Sequence, residues 1–185
     1  MNYHEVLDLI LDAEDATVGG GSAAALSGAM GAGLIGMVAR LSKGKNYGLS
    51  DDEYSDIERQ CHDLRQELLD GCVADTEGYG AIVAAFKLPR EDTGRRAAIE
   101  AAGVKAAAAP RDNGRRCRAV HLLGLRLKDR SNSAAASDLM YGTELAALGV
   151  AGCVANIEAN LGLIKDEKTA AGFKADIQEL SKPAG

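Results

Sequence analysis

Residues 16–39 read ATVGGGSAAALSGAMGAGLIGMVA, an uncharged segment in a protein in which 26% of the residues are charged. Three consecutive glycines, Gly19, Gly20 and Gly21, come near its start. Glycine adopts positive φ angles at no steric cost, so the backbone can turn tightly there. Ser22 follows in a position to cap a helix, whose free N–H groups would form an anion-binding end.

Small residues form one face of the helix that this segment predicts. They recur every four residues, at Ala24, Gly28, Ala32 and Gly36, so another helix backbone can approach closely. The segment is long enough to cross a membrane, but much of it is Gly, Ala and Ser, and we expect no second span in the chain. We therefore predict a buried central helix and no membrane association.

Composition and charge narrow the class of protein. A chain of 185 residues suits one domain with a substantial core, and its net charge of −6 does not favour nonspecific nucleic-acid binding. The four cysteines form no C-x-x-C pair and have no histidine at ligand spacing, which favours reduced thiols and no metal site. The start, MNYHEVLDLI, lacks the basic region of a secretory signal, so we expect a cytoplasmic protein.

Helical patterns cover most of the remaining chain, and no alternating strand pattern reaches a useful length. The predicted helices are residues 2–11, 52–86, 94–109, 115–128, 137–164 and 167–180. Pro110 lies between the predicted helices over 94–109 and 115–128, and we expect it either to kink the helix or to end it so that a new helix starts. The sequence therefore predicts an all-α bundle built on two or three long helices, forming a single domain over residues 1–185.

One carboxylate interrupts the apolar stripe of the helix over 52–86. The stripe consists of Tyr54, Ile57, Cys61, Leu64, Leu68, Cys72, Asp75, Tyr79, Ile82 and Phe86. An unpaired carboxylate at Asp75 would cost several kcal/mol or take up a proton with a raised pKa, which is typical of a functional group. Alternatively, the stripe shifts by one residue near Gly71 and leaves Asp75 at a solvated edge.

The predicted helix over 137–164 has a second unusual face. Small residues and polar groups trace it: Asp138, Gly142, Leu145, Gly149, Gly152, Asn156 and Asn160. Asn156 and Asn160 lie one turn apart, so their amides could bind either a ligand or a neighbouring backbone. Both interpretations fit the pattern.

Two further patterns do not indicate a functional site. The motif G-x-G-x-x-A at residues 19–24 is a loose dinucleotide fingerprint, but no strand precedes it, so we exclude a nicotinamide-nucleotide site. His4, His62 and His121 lie on charged helix faces, where we expect them to be solvated.

Seven short motifs follow one another along the chain. They are Gly19-Gly20-Gly21-Ser22-Ala23-Ala24-Ala25, Gly28-Ala29-Met30-Gly31-Ala32, Gly44-Lys45-Asn46-Tyr47, Asp75-Thr76-Glu77-Gly78-Tyr79, Phe86-Lys87-Leu88-Pro89, Asn132 to Ser137-Asp138-Leu139, and Asn156 to Asn160-Leu161. In this order and spacing they resemble the cyclodeaminase/cyclohydrolase family of folate enzymes. The resemblance covers a core of about residues 5–167 and implies an all-helical domain that dimerises.

The sequence departs from the family pattern at a few positions. Val18 stands where a proline usually precedes the glycines, and Ala134 replaces a second asparagine. The segment 111–114, after Pro110, is polar where the family is apolar, and Glu158 also replaces an apolar residue.

The resemblance implies a tetrahydrofolate derivative as substrate and no permanently bound cofactor. In cyclodeamination, N10 of the folate attacks the formimino carbon on N5 and ammonia leaves, so groups are needed to move the proton. We expect Asp75 to be this acid/base group and Asp138 to be second, either catalytic or holding the pterin. The substrate-binding residues that we expect are Gly19, Gly20, Gly21, Ser22, Lys45, Tyr47, Asn132, Ser137, Asn156 and Asn160.

Two alternatives remain open. The same site could hydrolyse methenyltetrahydrofolate to the 10-formyl compound, or the domain could be a helical module for folate binding or assembly without catalysis. The expected partners are a folate, which can carry a polyglutamate tail, a second copy in a homodimer, and a separate formiminotransferase.

Overall fold

The computed structural model describes Glu14 and residues 17–183 of the chain. Over these residues the chain forms five α-helices and one 3₁₀ turn, and contains no strand. The helices are α1 (Gly20–Ser42), α2 (Asp51–Lys87), α3 (Arg95–Leu127), α4 (Ala136–Leu161) and α5 (Glu167–Leu180), with the 3₁₀ turn at Ser133–Ala135. The predicted all-α fold is confirmed, while the helix predicted over 2–11 lies outside the described residues.

Helix α1 contains most of the uncharged segment and lies at the centre of the bundle, in contact with α2, α3 and α4. Ala25, Ile35 and Val38 in α1 are fully buried, which confirms the prediction of a buried central helix. The expectation that Ser22 caps this helix is wrong. Gly19 is the N-cap residue, and Ser22 lies inside the first turn, where its hydroxyl contacts α2 instead.

Glycines allow the neighbouring backbones to approach α1. A Cβ atom on Gly31 would lie 2.6 Å from the carbonyl oxygen of Gly142, and one on Gly149 would lie 2.8 Å from the carbonyl oxygen of Ala24. Because packed Cβ atoms do not come so close, a larger residue at either glycine would push α1 and α4 apart. The close helix approach that the small residues predict is confirmed.

Helix α2 begins at a capping box. The Ser50 side chain accepts from the Glu53 backbone N–H, and the Glu53 carboxylate accepts from the Ser50 N–H. From its first to its last Cα atom, at 1.5 Å per residue, this 37-residue helix is about 54 Å long, whereas the 23-residue α1 is about 33 Å long. Since α2 extends past the start of α1, Tyr79 and Phe86 are exposed, and their expected burial is wrong.

Helix α3 runs without interruption through Pro110, so the predicted division into two helices is wrong. Proline has no N–H, so the carbonyl of Ala106, four residues earlier, loses its helical donor. The Nδ2 of Asn160 in α4 donates to that carbonyl at 3.1 Å. A side chain from another helix thus replaces the hydrogen bond that the proline removes.

The polar segment after Pro110 fits the core through specific contacts. Asn113 is fully buried and donates from Nδ2 to the carbonyl of Gly71 at 3.1 Å. The Arg111 guanidinium lies 5.5 Å from the ring centre of Phe173 in α5. A second apolar cluster beside this segment comprises Ala107, Ile157, Ile164, Phe173 and Leu180 and holds α5 against α3 and α4.

Two described stretches are long and apolar enough to cross a membrane by length and composition, Gly20–Ser42 and Ser133–Leu161. The expectation that the chain contains no second such stretch is therefore wrong. In α1, 61% of the apolar window is buried inside the bundle, as in the core helix of a folded domain, while the corresponding share in the second stretch is 33%.

Candidate active site

A pocket of about 280 Å³ lies at the start of α1, bordered by α2, α3 and α4. Its walls are formed by Thr17, Gly19, Gly20, Gly21, Asp75, Tyr79, Ile82, Ala106, Asn156, Ala159 and Asn160. The three glycines, Asp75 and both asparagines that the sequence predicts for the site therefore line one cavity.

The carboxylate of Asp75 packs against the first turn of α1. A Cβ atom on Gly21 would overlap this carboxylate, so the glycine leaves the space that the side chain occupies. The Ser22 hydroxyl donates to Asp75 Oδ2 at 3.0 Å, and Thr76 Oγ1 lies 3.4 Å from the same hydroxyl. The single Ser22 proton has two acceptors within reach, this carboxylate oxygen and the Cys72 carbonyl at 3.2 Å, and the shorter distance is the one to Asp75. Thr76 can also donate to the Cys72 carbonyl, at 3.2 Å.

Burial raises the pKa of Asp75 above the usual range for aspartate, because the charged form loses hydration in the pocket. Hydrogen bonds from Ser22 oppose this effect without cancelling it. Asp75 is half-buried and faces α1, so the stripe of α2 does not shift to leave it at a solvated edge. A carboxyl group of this kind can exchange a proton closer to neutral pH than an exposed aspartate.

Asn156 and Asn160 lie on the α4 wall of the pocket. The Nδ2 of Asn160 donates to the carbonyls of Ala106 and Asn156, at 3.1 and 2.9 Å, and the Nδ2 of Asn156 donates to the carbonyl of Gly152 at 2.8 Å. Hydrogen bonding to a neighbouring backbone, one of the two interpretations from the sequence, is thus confirmed for Asn160, while the amide nitrogen of Asn156 bonds within its own helix. The amide oxygens are the atoms left to accept from a ligand.

The remaining predicted site residues lie near the opposite end of α1, about 33 Å along its axis. They are Lys45, Tyr47, Asn132, Ser137 and Asp138. Asn132 joins this end of α1 to the turn before α4, since its N–H donates to Ser42 Oγ at 2.9 Å and its Oδ1 accepts from Tyr47 Oη at 3.4 Å. Within a single chain, the structure does not bring this group together with Asp75.

A larger cavity, of about 520 Å³, lies between the end of α3 and the start of α4. Its walls include Lys128, Ser133, Met140 and Thr143, and none of the predicted site residues. The smaller pocket at the start of α1 combines a carboxyl group of raised pKa with fixed amides, so it is the candidate site.

The sequence did not predict every wall of the pocket. Tyr79 and Ile82 were taken as core residues of α2, but they line the pocket because α2 extends past the start of α1. The unequal predicted lengths of the two helices could have indicated this. His62 is exposed as expected, whereas His121 is half-buried, with Nδ1 3.1 Å from the Thr143 carbonyl.

The described part of the chain contains no group of three or more His, Cys, Asp or Glu side chains that could hold a metal ion. Cys72 lies beside Ser22, and burial raises the pKa of its thiol to about 11. At neutral pH this sulfur is a neutral thiol rather than a nucleophilic thiolate.

Comparisons with known proteins agree with this fold and with the sequence motifs. A family model described as formiminotransferase-cyclodeaminase matches residues 4–179. A methenyltetrahydrofolate cyclohydrolase from Methylorubrum extorquens is 30% identical over 193 aligned positions, which cover 100% of this chain and 93% of that protein. The crystal structure of a formiminotetrahydrofolate cyclodeaminase from Thermotoga maritima has the same fold, with a TM-score of 0.87 at 24% identity over 97% of this chain and 88% of that one. This chain therefore belongs to the formiminotransferase-cyclodeaminase family.

Proposed function

We propose that the chain acts on the one-carbon unit of a tetrahydrofolate derivative bound in the pocket at the start of α1. The observation that carries this proposal is the Asp75 carboxyl group, which has a raised pKa, is held by Ser22 and borders the pocket. Membership of the family supports a folate as the substrate.

Our first candidate reaction is the cyclodeamination of 5-formiminotetrahydrofolate. The N10 lone pair forms a bond to the formimino carbon, the bond from that carbon to the formimino nitrogen breaks, and ammonia and 5,10-methenyltetrahydrofolate result. The formimino group reacts in its protonated form, –CH=NH2⁺, so one further proton, taken from N10, must reach the departing nitrogen for it to leave as ammonia and for the methenyl compound to form as a cation. A carboxyl group whose pKa lies above the usual range can accept this proton and return it, which is the role that we assign to Asp75.

The second candidate is the hydrolysis of 5,10-methenyltetrahydrofolate, and the name of the 30% identical relative favours it. Water adds to the methenyl carbon and a base takes one proton from the water. The second water proton passes to N5 as the bond from that carbon to N5 breaks, which leaves the 10-formyl compound and releases one proton in total. Ionised Asp75 would be the base. Both candidate reactions therefore change bonds at the same carbon of the substrate, and both use the Asp75 carboxyl group for proton transfer.

The other predicted site residues have supporting roles in this proposal. The amide oxygens of Asn156 and Asn160 would accept hydrogen bonds from the substrate. Lys45, Tyr47, Asn132, Ser137 and Asp138 lie at the other end of α1, so they would contact a substrate in this pocket from a second copy of the chain, with Lys45 neutralising a carboxylate of the glutamate tail. We also assign the chain to a homodimer, and a separate formiminotransferase would provide the formimino substrate.

Two assays on the purified protein test the function. One measures ammonia release and methenyl absorbance after addition of 5-formiminotetrahydrofolate; the other measures loss of methenyl absorbance after addition of 5,10-methenyltetrahydrofolate, corrected for the spontaneous reaction without protein. Release of ammonia supports the first candidate, and accelerated loss of the methenyl compound supports the second. Folate binding without either turnover would indicate a non-catalytic module and overturn the proposal.

A further inference from the structure

A cavity lined by cations lies where the loop between α2 and α3 meets the loop after α4. It has a volume of about 320 Å³, and its walls are formed by Arg90, Asp92, Arg95, Arg96, Ile99, Leu163 and Lys165. We call this cavity the basic pocket. Four of its side chains are cationic and one is a carboxylate, although the chain has a net charge of −6. The local field therefore favours an anion, against the charge of the whole molecule.

The single carboxylate of the basic pocket does not neutralise its cations. Asp92 Oδ1 accepts from the Gly94 N–H at 2.7 Å, in the turn that leads into α3, and no ion pair within the described residues includes Asp92. Further along α3, by contrast, the arginines that pair with carboxylates are Arg111, Arg115, Arg116 and Arg126. The cations of the basic pocket have no such partner in the described part of the chain, so their charge is left for a ligand.

Backbone carbonyls hold two of these cations in place. Arg95 donates from Nε to the Leu88 carbonyl at 3.0 Å and from Nη2 to the Phe86 carbonyl at 3.2 Å, and its guanidinium lies 5.7 Å from the centre of the Phe86 ring. Lys165 Nζ donates to the Gly162 carbonyl at 2.8 Å. Arginine has five N–H groups and lysine has three, so each side chain keeps further donors for an anion while its position is fixed.

Glu100 of α3 fixes the loop that carries Lys165. Its Oε1 accepts from the N–H groups of Lys165 and Asp166, at 2.7 and 2.6 Å. Because two backbone donors satisfy this oxygen, Glu100 joins the two walls of the basic pocket without forming an ion pair with any described cation. Walls that are ordered before a ligand binds reduce the entropic cost of binding.

The position of Arg95 and Arg96 at the start of α3 is locally unfavourable. The first turn of this helix contains no acidic residue, and the partial positive charge of a helix start repels arginine. Positions where a sequence departs from a local rule of this kind are often functional. An anion bound between the two arginines and Lys165 would offset the repulsion.

The basic pocket lies next to the candidate active site along two helices. On α3, Ala106 lines the candidate site and Ile99 lines the basic pocket, about 10 Å apart along the helix axis. On α4, Asn160 lines the candidate site, and Leu163, just after the helix ends, lines the basic pocket. A molecule bound in the candidate site would therefore need to extend by only about 10 Å to reach the basic pocket.

Helix α2 provides apolar contacts between the two pockets. Ile82 lines the candidate site, and Phe86, one turn further on, contacts the Arg95 guanidinium. Phe86 is 48% exposed, so its ring is accessible to an aromatic ring of a ligand. An elongated ligand with an aromatic part and an anionic end matches this order of apolar and cationic side chains.

We propose that the basic pocket binds a polyanion, a group with two or more carboxylate or phosphate oxygens, through Arg95, Arg96 and Lys165. The polyanion can come from two sources. One is the substrate, since the glutamate end of a folate and any further γ-linked glutamates carry carboxylates in addition to the one assigned to Lys45. The other is a free oxyanion. The substrate source rests on the proposed function, whereas the site itself does not.

A pair of matched double variants tests the site. Arg96→Gln combined with Lys165→Gln removes two charges from exposed side chains of the basic pocket and keeps the contacts of Arg95. Lys168→Gln combined with Lys174→Gln removes two charges from exposed side chains of α5 outside the pocket, and is the control. Because all four side chains are exposed, both full-length variants should fold normally, and thermal unfolding without ligand checks this.

Two probes then distinguish the sources by isothermal titration calorimetry at constant ionic strength. One is inorganic pyrophosphate, and the other is tetrahydrofolate with a single glutamate compared with tetrahydrofolate carrying several γ-linked glutamates. The pocket variant should bind its anion about tenfold or more weakly than the control variant, because two charge-assisted contacts are lost. Loss of the affinity gained from the added glutamates identifies the substrate as the source, and loss of pyrophosphate binding alone identifies a free oxyanion.

Equal affinities of the pocket variant and the control variant for both probes would overturn the site. If the unmutated protein binds neither folate, the proposed function fails, while the pyrophosphate titration still decides whether the basic pocket is an anion site.

Discussion

Asp75 is subject to two opposing influences at one carboxyl group. Burial favours its neutral form, and the hydrogen bonds from Ser22 favour its ionised form, with burial as the larger effect. The sequence could indicate the first influence, since the apolar stripe of α2 is a local pattern. It could not indicate the second, because Ser22 lies 53 residues away along the chain.

We expect Asp75→Asn to lower turnover at least about a hundredfold, because the amide cannot accept or return a proton. The folate assays measure this effect directly. Asp70→Asn is the matched control, since Asp70 is exposed on the same helix and lies outside the pocket. Near-normal turnover by Asp75→Asn would remove Asp75 from the catalytic role.

The Gly21→Ala variant tests whether turnover depends on the position of the Asp75 carboxylate when the stability of the fold is nearly unchanged. The new Cβ would overlap the Asp75 carboxylate, which is the free end of a side chain and can rotate away. We expect turnover to fall about tenfold to a hundredfold, since small displacements of a reacting group are costly. The free energy of unfolding should change by no more than about 1 kcal/mol.

The matched control for this variant is Gly80→Ala on α2, where a Cβ meets open space and should leave turnover unchanged. Equal turnover by Gly21→Ala and Gly80→Ala would show that the Asp75 position does not matter.

At the scale of the elements, the continuity of α3 depends on a side chain from α4. The Asn160 amide donates to the Ala106 carbonyl that Pro110 leaves without a donor. Local rules therefore predicted a kink or a restart at Pro110, and the structure contradicts the restart, since α3 continues through the proline. The same hydrogen bond holds Asn160 in the pocket wall. One contact therefore accounts both for the continuity of α3 and for the position of a site residue.

A double-mutant cycle tests this contact. We expect Asn160→Leu to lower the free energy of unfolding by about 1–3 kcal/mol, because the Ala106 carbonyl is left without its partner. In the Pro110→Ala background, Asn160→Leu should lower the free energy of unfolding by less. Alanine at position 110 has an N–H that can donate to the Ala106 carbonyl in place of Asn160. Urea unfolding of the four proteins provides the values. Additive effects within about 0.5 kcal/mol would contradict the compensation.

At the scale of the whole molecule, the pKa of Asp75 makes stability depend on pH. Its pKa in the folded chain lies above the unfolded value of about 4, so its stabilising contribution is present at lower pH and is lost as the pH rises through the folded pKa. Asparagine does not titrate. We therefore expect Asp75→Asn to gain stability relative to the unmutated protein between about pH 4 and pH 7.

Urea unfolding of both proteins across this range measures the difference in the free energy of unfolding. If instead the unmutated protein gains stability relative to Asp75→Asn as the pH rises, the folded state favours the ionised carboxylate and the expectation is wrong.

The sequence by itself determined the all-α class, the buried central helix and the unusual position of Asp75. Each of these depends on periodicity and composition within one segment, and side chains three or four residues apart share a helix face whatever surrounds them. The seven motifs also identified the family, because their order along the chain is a property of the sequence alone.

Only the tertiary structure decided which of the predicted site residues meet. Asp75, Gly21 and Asn160 come together because α2 and α4 both run antiparallel to α1 and meet at its start. Lys45 and Asn132 lie at the other end of α1, and the length of this helix, about 33 Å, separates them from the pocket. Such placements depend on contacts more than fifty residues apart in the chain, and no local pattern of side chains encodes them.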